Sequence, residues 1–252
     1  MQALILAASK GSRLGSLTEN KPKCMIDIAG KSIIDRTVES LISNNINRII
    51  IVIGYLGNIL SEYLIDKYPN VDFVFIDESK LISEQHNNMY SFLIAKDELE
   101  KDDTLIIGSD ILFKPELIID LINNIIPNQV VISYFEDCIS GNCVALDENN
   151  HITTPASLSK YDKTNLYKIV SIYKLSKNFL ADTYIPYCET YMNTFGLDCY
   201  YEEPLDALVK NSNLVGYVIS SKDWFEVNTQ EDFDIANSLF ASPKIKYNRL
   251  AS

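Results

Sequence analysis

Short apolar runs alternate with segments of helical period from the first residues onward. Residues 3–6 are continuously apolar and predict a strand, residues 33–42 space their apolar positions three and four apart and predict an amphipathic helix, and residues 48–53 return to an apolar run. The alternation continues with a helix over 56–67, a strand over 71–76, a helix over 89–99, a strand over 104–107, a helix over 115–123 and a strand over 130–133. Such a rhythm predicts parallel strands joined by helical crossovers, an α/β fold.

The pattern changes after residue 134. Residues 142–146 and 151–154 flank Asp147-Glu148-Asn149-Asn150, a run of turn-forming types, and together predict a small β-hairpin excursion suited to carrying specificity. Strands over 168–173, 215–219 and 224–227, helices over 176–187 and 203–210, and a last helix N-capped by Thr229 and running through 239 complete the expectation. No repeat, low-complexity block or Pro/Gly-rich linker interrupts the chain, so residues 1–242 read as one domain and 243–252 as a loosely held tail.

Composition narrows the classes. Of the 252 residues 47% are apolar and 22% charged, a globular mixture that excludes disorder as the main theme. The 22 Lys and Arg against 34 Asp and Glu give a net charge of −12, which argues against nucleic-acid and membrane partners and leaves any anionic ligand to be met locally. No apolar run approaches the roughly 20 residues of a membrane-spanning helix. The N-terminal apolar stretch is too short for a signal peptide, so a cytoplasmic protein is expected. Cys24, Cys138, Cys143, Cys188 and Cys199 are odd in number, lack C-x-x-C spacing and read as free thiols. His86 and His151 alone leave little room for histidine-centred catalysis or a multi-histidine metal site.

The first strand runs into Leu6-Ala7-Ala8-Ser9-Lys10-Gly11-Ser12-Arg13, a loop of small residues with two cations. At the carboxyl end of a parallel strand, such a loop lets amide N–H groups approach a phosphate chain; an ordinary strand-to-helix loop is the plainer alternative. It is neither a G-x-G-x-x-G fingerprint nor a Walker A sequence. Pro22 stiffens the chain just before Lys23 and helps fix where that ammonium points. Asp110 follows the apolar strand Leu105-Ile106-Ile107, where a carboxylate can hold a hard cation between phosphates or merely close a turn. Asn87 and Asn88 open a helix, either as plain caps or as amides that read a base or ribose. Trp224 and the tyrosines read as core or rim rather than as a stacking platform.

Taken together, the stretch from Leu6 through Lys23 to Met25 resembles the N-terminal signature of the nucleotidyltransferases that make nucleotide sugars and related activated alcohols, L-A-A-G-x-G-[ST]-R-[LM]-x-P-L-T…P-K. Asn87-Asn88-Met89-Tyr90-Ser91 and Trp224-Phe225-Glu226-Val227-Asn228-Thr229 resemble two segments of bacterial cytidylyltransferases that act on small phosphorylated or phosphonylated alcohols such as phosphocholine and 2-aminoethylphosphonate. With Gly108-Ser109-Asp110 and Tyr201-Glu202-Glu203-Pro204, the likeness covers nearly the whole chain. It implies a Rossmann-like three-layer α/β/α sandwich with a mixed, mainly parallel sheet, and CTP and a small phospho-acceptor as substrates.

The resemblance assigns catalysis to Lys23 and Arg13 and nucleotide binding to Leu6, Ala7, Ala8, Ser9, Lys10, Gly11, Ser12, Asn87, Asn88, Ser91 and Ser109; Lys168 is a candidate for the acceptor's phosphate, and Glu136 and Glu202 are acceptor-binding candidates by their charge. Mg2+ would sit on Asp110 with Glu226 and Asn228. Two positions depart from the family pattern: Asn228 stands where it has Asp, and Ser9 where it has Gly. An amide oxygen can ligate Mg2+ but brings no charge. The implied reaction is attack of an acceptor phosphate oxygen on the α-phosphorus of CTP with loss of pyrophosphate, which needs no general base because the oxyanion is already ionised. Glu136, Asp137, Glu202 and Glu203 would suit an amine on the acceptor, such as aminoethylphosphonate or a phosphorylated amino acid. Phosphocholine stays open, although Cys138 to Cys143 offers no aromatic residue for an ammonium cage. A sugar-1-phosphate nucleotidyltransferase and a degenerate nucleotide-binding regulatory domain are the alternatives. The oligomeric state is left open.

Overall fold

The computed structural model describes residues 1–79, 87–134, 143–153, 165–204, 208 and 214–240. The chain runs β1 (Gln2–Ala7), β2 (Asp27–Ile28), β3 (Lys31–Ser32), α1 (Ile33–Ser43), β4 (Arg48–Ile53), α2 (Gly57–Lys67), β5 (Asp72–Asp77), α3 (Asn88–Leu93), α4 (Lys96–Leu99), β6 (Thr104–Gly108), β7 (Ile111–Phe113), α5 (Glu116–Asn123) and β8 (Gln129–Tyr134). It continues with β9 (Cys143–Leu146), β10 (Ile152–Thr153), β11 (Tyr167–Leu175), α6 (Lys177–Phe179), α7 (Ile185–Phe195), β12 (Val215–Ile219), β13 (Trp224–Glu226) and α8 (Gln230–Phe240).

Unbroken Ile, Leu and Val runs belong in strands covered on both faces, and β1, β4 and β6 are the buried centre of the sheet. They are parallel and in register, with Leu4 between Ile50 and Ile106. Alternation divides their side chains between two core layers. Leu4, Ile50 and Ile106 pack with Phe92 and Tyr184 on one face, while Ile5, Ile51 and Ile107 pack with Val38, Leu41 and Ile118 on the other. The expected α/β/α layering and mixed sheet are present.

Strand order places the site. The chain leaves β1 for β4 and β5 on one side and returns to β6 on the other, which opens a crevice beyond the carboxyl ends of β1 and β6. β11 runs antiparallel to β6, and β8 and β12 extend the sheet beyond it. The first residues of β11 pass the end of β6 and pair there with β9, whose hairpin with β10 matches the predicted excursion. A register shift in β11 lies beside Ser171, which adopts a left-handed φ of 56°. Away from the main sheet, β13 pairs with β7, with Glu226 opposite Ile111, and brings the chain end back to Asp110.

Three expectations change. The helix expected over 89–99 is divided into α3 and α4, because Ala95 turns to φ −89°, ψ 0° and its N–H bonds Phe92 rather than continuing the α-ladder. The helix expected over 176–187 continues to Phe195 through a π-turn at Leu180–Tyr184. Pro186 offers no N–H, and widening of the preceding turn accommodates it. The helix expected to start at 56 begins at Gly57, since Leu56 is left-handed at φ 53°. The tail and most of the expected 203–210 helix lie outside the described residues. Among the described residues no helix is long and apolar enough to cross a membrane.

Candidate active site

A cavity of about 910 Å3 occupies the crevice. Its floor begins with the loop after β1. Gly11 adopts φ 65°, ψ 44°, and the stem of Lys23 lies so close that a Cβ on Gly11 would meet Lys23 Cδ at 3.0 Å. Ser9 is accommodated within the loop, its hydroxyl accepting from Gly11 N–H at 3.3 Å. Thr18 ties the loop from below by donating to the carbonyls of Gly11 and Gly15, each at 3.3 Å. Lys10 stands over the Tyr55 ring at 5.2 Å from its centroid.

Pro22, at ψ 149°, turns the chain into a short 3₁₀ turn, Lys23–Met25, which buries Cys24 and draws the Lys23 side chain inward. Burial pushes the Cys24 thiol up to about 12, so it is an inert core group. Lys23 is 6% exposed. Its ammonium donates to Asp110 Oδ2 at 2.6 Å and to Asn228 Oδ1 at 2.7 Å. Arg13 reaches the same Asn228 oxygen at 3.1 Å, and the Asn228 amide donates to Glu226 Oε1 at 2.7 Å. Glu226 in turn accepts from the buried Lys168 at 2.6 Å, and that ammonium lies 5.2 Å from the Trp224 ring centroid. The result is a continuous line of groups, Asp110, Lys23, Asn228, Glu226 and Lys168, drawn from four separate parts of the chain. It is anchored by Val227 N–H on the Asp110 carbonyl at 3.0 Å and by a capping box in which Asp232 and Thr229 bond each other's backbone N–H.

The opposite wall is built from α3 and the segment after α7. Asn87 occupies the N-cap position of α3 but makes no cap bond; its amide goes to Asp198. Asn88 accepts from Tyr201 N–H at 3.0 Å and faces Glu202 at 3.4 Å. The backbone N–H groups of Asn87 and Met89 bond the carbonyls of Leu197 and Cys199, so chain rather than side chain caps this helix. Of the two readings of Asn87 and Asn88, the plain side-chain cap is not the one seen. Glu202 is 8% exposed, and burial pushes its carboxyl from 4.5 up to about 7. It is a desolvated wall group.

The cavity gathers the loop residues Leu6, Ala8, Ser9, Lys10, Gly11, Ser12 and Arg13 with Lys23, Asn87, Asn88, Ser91, Ser109, Asp110, Lys168, Glu202, Glu226 and Asn228. Ala7 is not among them. Strand alternation turns its side chain into the opposite core layer, where it is 4% exposed. Glu136 lies outside the described residues. Sequence reasoning missed Glu78, Gly108, Ile169, Ser171, Tyr200 and Tyr201 as lining residues. Gly108 was legible as the small residue before Ser109-Asp110, whereas nothing in the run Tyr167–Leu175 signals the irregularity at Ser171.

Among the described residues no three His, Cys, Asp or Glu side chains gather as a metal cage. Asp110 Oδ2 and Asn228 Oδ1 do converge on one point, now taken by the Lys23 ammonium. Two convergent hard oxygens fit Mg2+, which takes one or two protein ligands and fills its octahedron with water and substrate phosphates. Glu226 stands one hydrogen bond farther away.

The family model for nucleotidyl transferases matches residues 2–131. CTP:phosphoglutamine cytidylyltransferase of Campylobacter jejuni is 28% identical over 256 residues, 93% of this chain and 98% of that protein. Choline-phosphate cytidylyltransferase of Streptococcus pneumoniae is 37% identical over 139 residues, 55% of this chain and 56% of that protein. The solved structure of the CTP:phosphocholine cytidylyltransferase of Streptococcus pneumoniae shares the fold, with a TM-score of 0.73 at 22% identity over 94% of this chain and 98% of that one. The matched half of the sequence includes β1, its loop, Lys23 and Asp110, most of the cavity floor, and the chain is a member of the nucleotidyl transferase family, a nucleotidyltransferase.

Proposed function

We propose that this nucleotidyltransferase transfers CMP from CTP to a small phosphorylated or phosphonylated acceptor that carries an amine, releasing pyrophosphate. The similarity to a cytidylyltransferase along nearly its full length supports the nucleotide and the acceptor class. The observation that carries the chemistry is the buried Lys23 at the crevice between β1 and β6, with a second buried lysine, Lys168, joined to it through Asn228 and Glu226.

Lys23 neutralises charge that builds on the α-phosphate as the incoming oxygen bonds to phosphorus. Arg13, Lys10 and the loop around Gly11 hold the departing pyrophosphate, and Ser109 borders the same space. Lys168 orients the acceptor's phosphate or phosphonate, which is an anion at neutral pH and needs no base to activate it. Catalysis by alignment and fixed charge contributes several kcal/mol per well-placed group, about 3 kcal/mol being typical for one donor. Asp110 and Asn228 would hold Mg2+, which supplies further charge neutralisation on the triphosphate.

Glu202 supports the amine. Asp110 and Glu226 each face a lysine, whereas Glu202 meets the Asn88 amide, and among the described residues no lysine or arginine pairs with it. A desolvated carboxylate on the wall of a ligand cavity favours a cation. Asn88 and Ser91 line the same wall and are suited to base or ribose contacts.

The test is pyrophosphate release with each of the four nucleoside triphosphates against phosphocholine, 2-aminoethylphosphonate, a phosphorylated amino acid amide, glycerol phosphate and glucose 1-phosphate, with Mg2+ present. The proposal expects release with CTP and an amine-bearing acceptor. Release with glucose 1-phosphate alone would assign the chain to sugar activation, and nucleotide binding without release under any combination would make it a binding domain.

A further inference from the structure

Asn228 is the midpoint of the charged line on the cavity floor, and it uses both ends of its amide. The oxygen accepts from Lys23 and Arg13, and the nitrogen donates to Glu226. Each carboxylate of the line has its own ammonium: Asp110 has Lys23 and Glu226 has Lys168. Asn228 adds no charge to this balance. Its backbone N–H is fixed on Asp232 Oδ2 at 2.9 Å, so the amide is held at the end of β13 and is not a loose surface group.

We propose that Lys23, held in place by Asn228, keeps the divalent-cation site closed until nucleotide phosphates draw its ammonium away. This rests on the reading of the cavity as a nucleotide site. A divalent ion arriving alone must displace the ammonium of a lysine whose side chain is 7% exposed, bonded at 2.6 and 2.7 Å, and it gains one carboxylate and one neutral oxygen in return. The displaced Lys23 would then stay beside the ion, an unfavourable like-charge arrangement in a partly desolvated site. A triphosphate changes both sides of the exchange. Its oxygens give Lys23 a new partner and complete the coordination of the ion. Metal and nucleotide therefore enter in a coupled way, and free ion does not settle beforehand.

A carboxylate at position 228 would behave differently. It would set a second carboxylate beside Asp110 and face Glu226 across the 2.7 Å that now separates amide nitrogen from carboxylate oxygen, so the negative charge around the point held by Lys23 rises. Asn228→Asp should therefore create affinity for a divalent ion without nucleotide. Lys23→Met should do the same by a separate route, since it leaves Asp110 without its ammonium.

The experiment measures Mn2+ binding to the full chain without nucleotide, by water-proton relaxation and calorimetry, for the wild type, N228D and K23M. The expected result is binding at least tenfold tighter in both variants than in the wild type, and wild-type binding that tightens at least tenfold when a non-hydrolysable CTP analogue is added. Wild-type affinity without nucleotide equal to that of the variants would overturn the proposal. If N228D fails to fold by circular dichroism, K23M decides alone: unchanged affinity refutes, tightened affinity supports. Failure of the nucleotide reading is seen separately, as absence of binding of all four triphosphates in a dye-displacement assay, and it leaves the nucleotide-free comparison intact.

Discussion

Replacing Glu202 with glutamine tests the cavity wall through stability. In the folded chain the Glu202 carboxyl holds its proton up to about 7, against 4.5 for the ordinary group, because it is 8% exposed and desolvated. At about 1.36 kcal/mol per pH unit, this gap corresponds to about 3 kcal/mol. The folded state binds the proton more tightly than the unfolded chain does. Stability therefore falls as pH rises from about 4.5 to about 7, and the full cost is present above that window. A glutamine side chain does not titrate, so Glu202→Gln should be more stable than the wild type by up to about 3 kcal/mol at pH 8. The difference should vanish below the ordinary carboxyl range. Urea unfolding at pH 8, pH 6 and pH 4 reads this directly. Binding of an amine-bearing acceptor should also expel the Glu202 proton near pH 6, seen as a buffer-dependent heat in calorimetry. Parallel stability curves for the two proteins across this range would refute the claim that Glu202 is a desolvated acid.

Lys23→Ala should lower kcat by about 10² to 10³ through lost neutralisation at the α-phosphate, while urea unfolding moves much less; an unchanged kcat removes Lys23 from the mechanism. Gly11→Ala places a Cβ at a left-handed residue and 3.0 Å from Lys23 Cδ, so a loss of about 1–2 kcal/mol in stability is expected together with reduced turnover. Full activity in that variant would show that the loop tolerates a shift of Lys23. Thr229→Ala removes a hydroxyl that accepts from Asp232 N–H at 3.1 Å and should cost about 1 kcal/mol in thermal or urea unfolding.

Much of the architecture follows from local pattern. The apolar runs of β1, β4 and β6 can be satisfied only between two covered faces, and the spacing in α1 and α2 supplies helices to cover them. The loop after β1, Lys23 and Asp110 were legible as candidates because ligands gather at the carboxyl ends of parallel strands and because these residues fall in segments that resemble the family's. Local pattern also misled. It ran one helix through Ala95 and stopped another at residue 187, because propensity does not register where a helix must bend to pack.

What only the folded chain decided are the partnerships. Lys23 meets Asp110 across 87 positions and Asn228 across 205, and those pairs exist because β7 and β13 align as they do. The side chain of Ala7 was turned into the opposite core layer by the two-residue repeat of a strand, which a choice between strand faces settles and the loop motif does not. Glu202, read from the sequence as a group to meet the acceptor's amine, became a buried wall group because the segment after α7 docks on α3. Sequence specifies backbone conformation and burial through neighbours a few positions away. Charge pairing and desolvation depend on groups brought together from distant positions, and these arise only when the sheet has taken its register.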